Sequence, residues 1–382
     1  MRPALVGVCV AVVAVGACRE RESVYGPTEL RDADFASAEG ETTIAFAGDI
    51  MTWDTARSAI ESNSVRYPFE ATAAITRSAD LAIGNLEGPV AVHAQPLEKG
   101  GYSYKVPPHT LEGLVWAGFD AVSLGNNHVR DCGDDGLIET MQYVEAAGLQ
   151  HFGAGLNVEA ARQPKIIEVG GLRVALVAFL TQETYLMEYA ELNVPGLFDG
   201  RKQLILSVAG ATNDRGGTVV SPTATDVQKM VAEARAVADF VIVYPHWGVR
   251  YHRPVFENQQ ELAHAAIDAG ADLIVGHHAH LWQPTEVYKG VPIIYGIGNF
   301  AFGSRNSRAT GGLLVRAVLT GGKLRRVELY PTFTKNRSRQ VAHQTKILKG
   351  RSARRVLEDL AEWSAPRGAV VRIADGVGII DL

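Results

Sequence analysis

The chain has 382 residues, of which 47% are hydrophobic and 21% charged, and these proportions are those of an ordinary globular protein with enough length for a large core. Its formal net charge is −5 and it contains no basic block, which argues against a nucleic-acid partner. Length alone allows one large domain or two.

The first 18 residues differ from the rest of the chain. They read MRPALVGVCVAVVAVGAC, with Arg2 as a short basic start and an apolar run over 4–17. This run is shorter than the roughly 20 residues that cross a bilayer, so it is typical of a secretory signal. Its end, VGAC, resembles the lipobox of bacterial lipoproteins, and that resemblance implies a lipid on Cys18 that attaches the chain to a membrane. A plain signal peptide or an uncleaved anchor is the alternative, and residues 19–41 have the polar, mixed-charge composition of a tether.

The cysteine content predicts no intramolecular disulfide. Cys9 would leave with the signal and Cys18 would carry the lipid, which leaves Cys132 alone. Stability is therefore expected to come from core packing, with bound metal as a further source.

Short apolar runs alternate with helical patterns through most of the chain. The runs mostly lack polar alternation, which indicates strands that are covered on both faces. They lie at 42–48, 79–85, 119–125, 172–180, 239–246, 271–277 and 291–300, and the helical patterns lie at 109–117, 135–147, 223–238 and 257–269. This alternation predicts an α/β layered fold.

Two further segments interrupt this regular alternation. Residues 193–222 form the longest irregular stretch. From about residue 312 the pattern changes to two strands joined by Gly321-Gly322, followed by a basic loop at 335–351 and a helix at 352–364. This last part is either a cap on the main domain or a small appendage.

Side chains that bind metals or donate hydrogen bonds follow five of the apolar runs. They are Asp49; Asn85 and Glu87; Asn126, Asn127 and His128; His246; and His277, His278 and His280. Ligands of open α/β sheets bind beyond the carboxyl ends of the strands, so we expect these five ends to converge on one cleft. Any one of them has a structural explanation, such as a helix N-cap for Asp49 or a turn for an asparagine after glycine. The joint pattern favours a site.

The residue types at these ends predict the kind of site. Carboxylate, imidazole and amide oxygen together suit a divalent ion such as Mn, Fe or Zn. One carboxylate, Asp49 or Glu87, is able to bridge two ions, an arrangement that hydrolyses phosphate esters.

In these residues the chain resembles the CapA/PgsA family of bacterial capsule and poly-γ-glutamate synthesis proteins, a branch of the calcineurin-like metallophosphoesterase superfamily. The motifs that carry the resemblance are FAGDIM (46–51), IGNLEGPV (83–90), GFDAVSLGNNHVRDCGDDGLIET (118–140), VYPHWGVRY (243–251) and AGADLIVGHHAHLWQPTEVYKGVPIIYGIGNFAF (269–302). They cover about residues 42–302. The resemblance implies a four-layer α/β sandwich, with two mixed β-sheets flanked by helices and a site for two metal ions at the strand ends.

Site residues carry over from the family one by one. The resemblance implies metal binding by Asp49, Glu87, Asn127, His246, His278 and His280, with Glu87 at the bridging position. It implies that His128 faces the scissile phosphate as a general acid, and His277 is an alternative to His278 if the alignment slips. Asp131, three residues after His128, is expected either to accept the ring proton of His128 or to cap a helix.

The chain departs from the phosphoesterase pattern at two positions that bear on function. Met51 stands where the superfamily has a metal-binding histidine two residues after Asp49, as is usual in the CapA branch. Arg250 stands where the family motif has glutamate, and it is either a contact for an anionic substrate or a surface substitution. The flanking aromatic residues Trp247, Tyr251 and Trp282 either form the floor of a polymer-binding groove or pack at its rim.

Two functions are compatible with these residues. The first is an extracytoplasmic, lipid-anchored phosphoesterase-like hydrolase that uses two divalent ions (Mn, Fe or Zn) on an anionic envelope polymer or a phosphate ester. The second is a non-hydrolytic component of a capsule synthesis or export complex that binds or tethers polymer. The predicted organisation is a signal peptide at 1–18, a tether at 19–41, the metallophosphoesterase-like domain at 42–311 and a C-terminal hairpin and helix at 312–382.

Overall fold

Two mixed β-sheets pack face to face and carry helices on their outer faces. The computed structural model describes residues 30–98, 103–181, 209–339 and 341–382. The predicted α/β sandwich of two mixed sheets flanked by helices is confirmed. The predicted signal and lipidation segment lies outside the described residues. So does most of the predicted long loop at 193–222. Within these ranges, no helix combines the length and hydrophobicity that crossing a membrane requires.

Each predicted apolar run overlaps a strand, but the run at 291–300 divides between two strands, one in each sheet. The strands are β1 (Glu41–Met51), β2 (Leu81–Leu86), β3 (Ala121–Ser123), β4 (Gln150–Phe152), β5 (Lys165–Val169), β6 (Leu172–Leu180), β7 (Phe240–His246), β8 (Leu273–Val275), β9 (Thr285–Tyr288), β10 (Val291–Ile294), β11 (Asn299–Phe302), β12 (Gly311–Thr320), β13 (Lys323–Phe333), β14 (Lys346–Ile347), β15 (Arg372–Ala374) and β16 (Val377–Asp381). The α-helices are α1 (Arg57–Ser62), α2 (Ala73–Arg77), α3 (Leu111–Trp116), α4 (Gly133–Ala146), α5 (Val158–Arg162), α6 (Ala224–Arg235), α7 (Glu257–Asp268) and α8 (Gly350–Ser364).

The first sheet has the strand order β15-β16-β13-β12-β1-β2-β3-β4, with β11 also paired to β1 and β14 to β13. Strands β1 to β4 are parallel, whereas β12 runs antiparallel to β1. The second sheet has the order β5-β6-β7-β8-β10-β9, with a parallel centre from β6 to β10 and antiparallel edges.

Both faces of the central strands are buried, because side chains alternate between two separate cores. In β1, Ile44 and Phe46 lie in the core between the sheets, whereas Ala45 and Ala47 lie in the core beneath the helices of the first sheet. In β7, Ile242 and Tyr244 face the inter-sheet core, whereas Val241 and Val243 pack under α6 and α7. This two-sided burial explains why the apolar runs lack polar alternation.

The C-terminal part of the chain joins the first sheet. The predicted hairpin is present as β12 and β13, and Gly321 and Gly322 both have positive φ in its turn. Strand β12 pairs with β1 along Glu41–Phe46, and Leu357 and Leu360 of α8 lie in the inter-sheet core. The segment after residue 312 therefore contributes strands and core residues to the sandwich.

Candidate metal centre

The predicted site residues lie along one shared edge of the two sheets. Asp49 lies near the end of β1 and Glu87 directly follows β2, while Asn127 follows β3 in the first sheet. His246 ends β7, and the histidines at 277–280 follow β8 in the second sheet. Because parallel strands present their carboxyl ends at the same edge, the packing of the two sheets brings both groups together.

Asp49 is fully buried, and three side chains contact its carboxylate. Asn85 Nδ2 donates to Asp49 Oδ1 at 2.8 Å, and His277 Nδ1 lies 3.2 Å from the same oxygen. His280 Nδ1 lies 3.1 Å from Asp49 Oδ2. Burial on its own raises the pKa of Asp49, but the hydrogen bonds from His277 and His280 outweigh burial and hold this pKa well below its ordinary value. Asp49 is therefore a carboxylate at neutral pH.

Glu87, His246 and His278 form a first buried group, which we call the histidine cluster. One ligand atom from each residue lies within 4.8 Å of the others. Asn127 Oδ1 lies 2.7 Å from His246 Nε2, and His278 Nδ1 lies 2.9 Å from that same nitrogen. Burial lowers the pKa of both His246 and His278 well below the ordinary value, so both rings are neutral at neutral pH. Neutral imidazole is the form that binds a metal.

Asp49, Glu87 and His280 form a second buried group, which we call the aspartate cluster. Their ligand atoms also lie within 4.8 Å of one another. Asn299 Oδ1 lies 2.7 Å from His280 Nδ1 and orients the ring. Glu87 belongs to both clusters. The donor set of carboxylates, imidazoles and an amide oxygen fits divalent cations, and these buried groups are able to hold metal.

The backbone is strained where the histidines enter the site. His278 has φ 84°, His280 has φ 54° and the nearby Tyr251 has φ 63°. L-residues rarely adopt this left-handed conformation, which costs on the order of 1 kcal/mol or more for each residue. Strain of this kind clusters at functional sites, because the surrounding structure must fix it in place.

His277 plays a different part from His278. Its Nδ1 contacts Asp49, and its ring packs 4.2 Å from the ring of buried Tyr244. His277 belongs to neither cluster, whereas His278 belongs to the histidine cluster. Of the two alternatives that the sequence leaves open, the structure groups His278 with the other candidate ligands and places His277 against Asp49.

His128 and Asp131 form a pair beside the clusters. His128 Nδ1 lies 2.7 Å from Asp131 Oδ2, and the backbone N–H of Tyr104 donates to the same carboxylate oxygen at 2.6 Å. His128 Nε2 lies 3.9 Å from Glu87 Oε1. Asp131 thus contacts the ring of His128, and the N-cap position of α4 is occupied by Cys132.

Neighbouring residues hold this arrangement in place. Asn126 Nδ2 donates to Asn85 Oδ1 and to the carbonyl of Leu86, so Asn126 fixes the turn that presents Asn127. Strand pairing sets Asp49 opposite both Asn85 and Asn299. The sequence pattern gave Asn85 and Asn299 no specific role, although both stand next to glycine at a strand end.

Two of the three aromatic side chains near the histidines are buried and cannot form the floor of a groove. Trp247 is fully buried, with its Nε1 donating to the carbonyl of Tyr295 at 2.8 Å. Trp282 is also buried, and the guanidinium of Arg253 stacks 3.7 Å from its ring centroid. Only Tyr251 remains partly exposed, with its ring 5.7 Å from that of His280. Of the two alternatives for these side chains, packing therefore holds for Trp247 and Trp282.

Comparison with known proteins adds a further observation. Residues 43–304 match the family model described as bacterial capsule synthesis protein PGA_cap. The capsule biosynthesis protein CapA of Bacillus anthracis is 28% identical over 312 residues, which is 80% of this chain and 70% of that protein. The PGA biosynthesis protein CapA of Bacillus subtilis is 28% identical over 75% of this chain and 70% of that protein. A probable polyglutamine synthesis accessory protein of Mycobacterium tuberculosis is 30% identical over 61% of this chain and 59% of that protein.

Proposed function

The chain belongs to the CapA/PgsA family of bacterial capsule and poly-γ-glutamate synthesis proteins, and from that premise we propose that it is an extracytoplasmic two-metal hydrolase. It cleaves or transfers a phosphate or related ester during the synthesis or export of an envelope polymer. The observation that carries this proposal is the position of Glu87, which belongs to both the histidine cluster and the aspartate cluster.

The two clusters supply donors for two adjacent cations. Glu87, Asn127, His246 and His278 would hold one ion, and Asp49, Glu87 and His280 would hold the other. When bound, a pair of divalent ions provides a nucleophile from water near neutral pH and stabilises charge on the ester oxygens. The two carboxylates would offset half of the four positive charges of such a pair, and the remaining positive charge would favour an anionic substrate.

His128 and Asp131 are suited to proton transfer in this site. Asp131 receives a hydrogen bond from His128 Nδ1, which fixes the orientation of the ring and directs Nε2 toward Glu87. The carboxylate also stabilises the protonated ring, so His128 is able to donate a proton from Nε2 to the leaving oxygen. Tyr104 restrains the pair, because its backbone binds Asp131 and its ring packs 4.4 Å from that of His128.

The experiment that tests this function measures turnover of an aryl phosphate by the full-length protein loaded with Mn, Fe or Zn. We expect His128→Ala to lower turnover about 100-fold or more with unchanged metal content, and Asp131→Asn to lower it about 10-fold. His264→Ala is the matched control, because His264 also pairs with a carboxylate, that of Glu286 at 2.6 Å, outside the site. Wild-type turnover that is absent with every ion, or unchanged by His128→Ala, contradicts a hydrolase.

Lipid anchoring is part of the proposal. The lipobox-like sequence VGAC ends at Cys18, and capsule synthesis relatives suggest a place in the cell envelope. We expect Cys18→Ala to release the chain from the membrane fraction of an expressing bacterium, and the mature wild-type chain to begin at a lipid-modified Cys18 by mass spectrometry.

A second function is favoured by the smaller number of donors in the aspartate cluster. Met51 stands two residues after Asp49, where a further ligand would complete that cluster, and a thioether is a poor ligand for Mn or Zn. A protein with one firmly held ion would bind polymer for a synthesis complex without cutting it. One metal per chain, polymer binding and no turnover would support this function over hydrolysis.

A further inference from the structure

A surface depression of about 740 Å³ is formed by α1, which follows β1, by the segment around residue 305, which follows β11, and by residues 336–339, 342 and 343. Arg305, Arg337, Arg339 and His343 line it, together with Ser58 and Ser62 of α1. None of its lining residues is acidic. None of these three arginines forms an ion pair with a carboxylate among the described residues. Several arginines elsewhere in the fold do pair with an acid, and Arg253 stacks on a ring.

His343 forms part of the wall of the depression and is only 8% exposed. Neither of its ring nitrogens has a hydrogen-bond partner among the described residues. Burial, and then the positive charge of Arg305, lowers the pKa of His343 to about 4, so the ring is neutral at neutral pH. A buried polar group without a partner destabilises a fold, and an uncharged ring at this place leaves the arginines as the charged groups of the wall.

The depression is tied to the metal centre through β11. Asn336 Nδ2 donates to the carbonyls of Phe302 and Ser304 at 2.6 Å each, which clamps the arginine-bearing segment onto the end of that strand. The same strand begins at Asn299, which contacts His280 at 2.7 Å. Arg305 lies six residues beyond Asn299, so the two Cα atoms are at most about 22 Å apart.

We infer that this depression is a second binding site, in which Arg305, Arg337 and Arg339 bind the carboxylates of an anionic polymer chain that extends to the metal centre. Guanidinium groups bind carboxylates in a planar, bidentate manner. A polymer with one carboxylate per repeat presents such groups in series, as poly-γ-glutamate does, and several weak contacts then add along one chain. The choice of this polymer rests on the proposed function, whereas anion binding by the arginines does not require turnover or metal.

The experiment measures the Kd of fluorescently labelled poly-γ-glutamate oligomers for the full-length protein by anisotropy, at low and at moderate salt. Arg337→Ala/Arg339→Ala removes two exposed charges from the depression. Lys323→Ala/Arg325→Ala is the matched control, because it removes two exposed charges with the same spacing from the hairpin at the opposite edge of the first sheet.

We expect the depression variant to raise the Kd roughly tenfold and to flatten its salt dependence, and the control to change the Kd less than twofold. Equal weakening by both variants would mean binding to general surface charge, and would overturn the inference. No weakening by the depression variant, or no binding by wild type, would overturn it as well.

Two further measurements distinguish polymer binding from membrane binding and from loss of metal. Vesicles of anionic lipid are tested with the same variants, and loss of vesicle binding with unchanged polymer binding would mean that the depression serves a membrane surface instead. Metal content is measured in parallel and is expected to be unchanged. A wild-type protein without metal or turnover contradicts the proposed function, yet the comparison of polymer Kd values still decides whether the depression binds polymer.

Discussion

Removing the shared carboxylate of Glu87 should weaken both metal positions at once. A four-ligand protein site for zinc binds with about 10–16 kcal/mol, so one ligand contributes on the order of 3 kcal/mol, or about 100-fold in affinity. Since Glu87 lies in both the histidine cluster and the aspartate cluster, Glu87→Ala should weaken the binding of each ion by this factor. His278→Ala should weaken only the binding of the ion in the histidine cluster.

The assay is metal content by mass spectrometry after equilibrium dialysis against buffered metal. At free metal tenfold above the wild-type Kd, a 100-fold weakening lowers the occupancy of a position from about 90% to about 10%. Glu87→Ala is expected to show this fall at both positions and His278→Ala at one. Glu286→Gln is the control, because Glu286 is a buried acid, 5% exposed, that binds Tyr295 away from the site.

The shared role of Glu87 is refuted if Glu87→Ala keeps wild-type occupancy, or loses one ion while the other stays fully bound. The first result would mean that the cluster residues do not hold metal through Glu87. The second would mean that Glu87 serves one ion alone. A loss that Glu286→Gln reproduces would show general unfolding, which circular dichroism of each variant reports directly.

Three further predictions concern the sandwich itself. Leu357 is fully buried in the inter-sheet core, so Leu357→Ala should lower the free energy of unfolding in urea by about 2–5 kcal/mol. Val370 is 79% exposed, so the control Val370→Ala should change this free energy by less than about 0.5 kcal/mol. Gly48→Ala would place a Cβ 1.8 Å from the carbonyl oxygen of Gly298, so it should cost about 3 kcal/mol or more and reduce metal content by displacing the neighbouring strand. The folded-state pKa of His343, about 4, lies below its unfolded value of 6.5, so the unfolded chain binds more protons between these pH values. Stability measured by thermal unfolding should therefore fall as pH drops from 6.5 to 4, and His343→Gln should make this fall smaller.

Local sequence patterns were enough to predict the central strands of both sheets and most of the candidate ligands. Apolar runs without alternation mark strands buried on both faces, and they overlap β1, β2, β3, β6, β7, β8 and β10, with the last run extending into β11 of the other sheet. Polar residues at their carboxyl ends then had to share one edge, because parallel strands end on the same side. Asp49, Glu87, Asn127 and His246 could be chosen in this way from local pattern and family motif together.

Other features depended on contacts between distant segments. His246 meets Asn127 across 119 residues of sequence, and the choice of His278 over His277 depends on which ring the turn after β8 directs toward Glu87. The pairing of Asp131 with His128, rather than with a helix end, is likewise a matter of side-chain geometry.

Composition could not show which side chains near the motifs are buried in the core, and the tertiary structure did. Trp247 directly follows the candidate ligand His246 in the sequence, yet its ring lies wholly in the core of the second sheet. The short strands β9 and β15 carry no long apolar run, and they form because β10 and β16 offer them unpaired backbone groups. Local pattern encodes which face of an element is apolar, whereas the packing of two sheets fixes which elements meet, and only that packing creates a site shared between them.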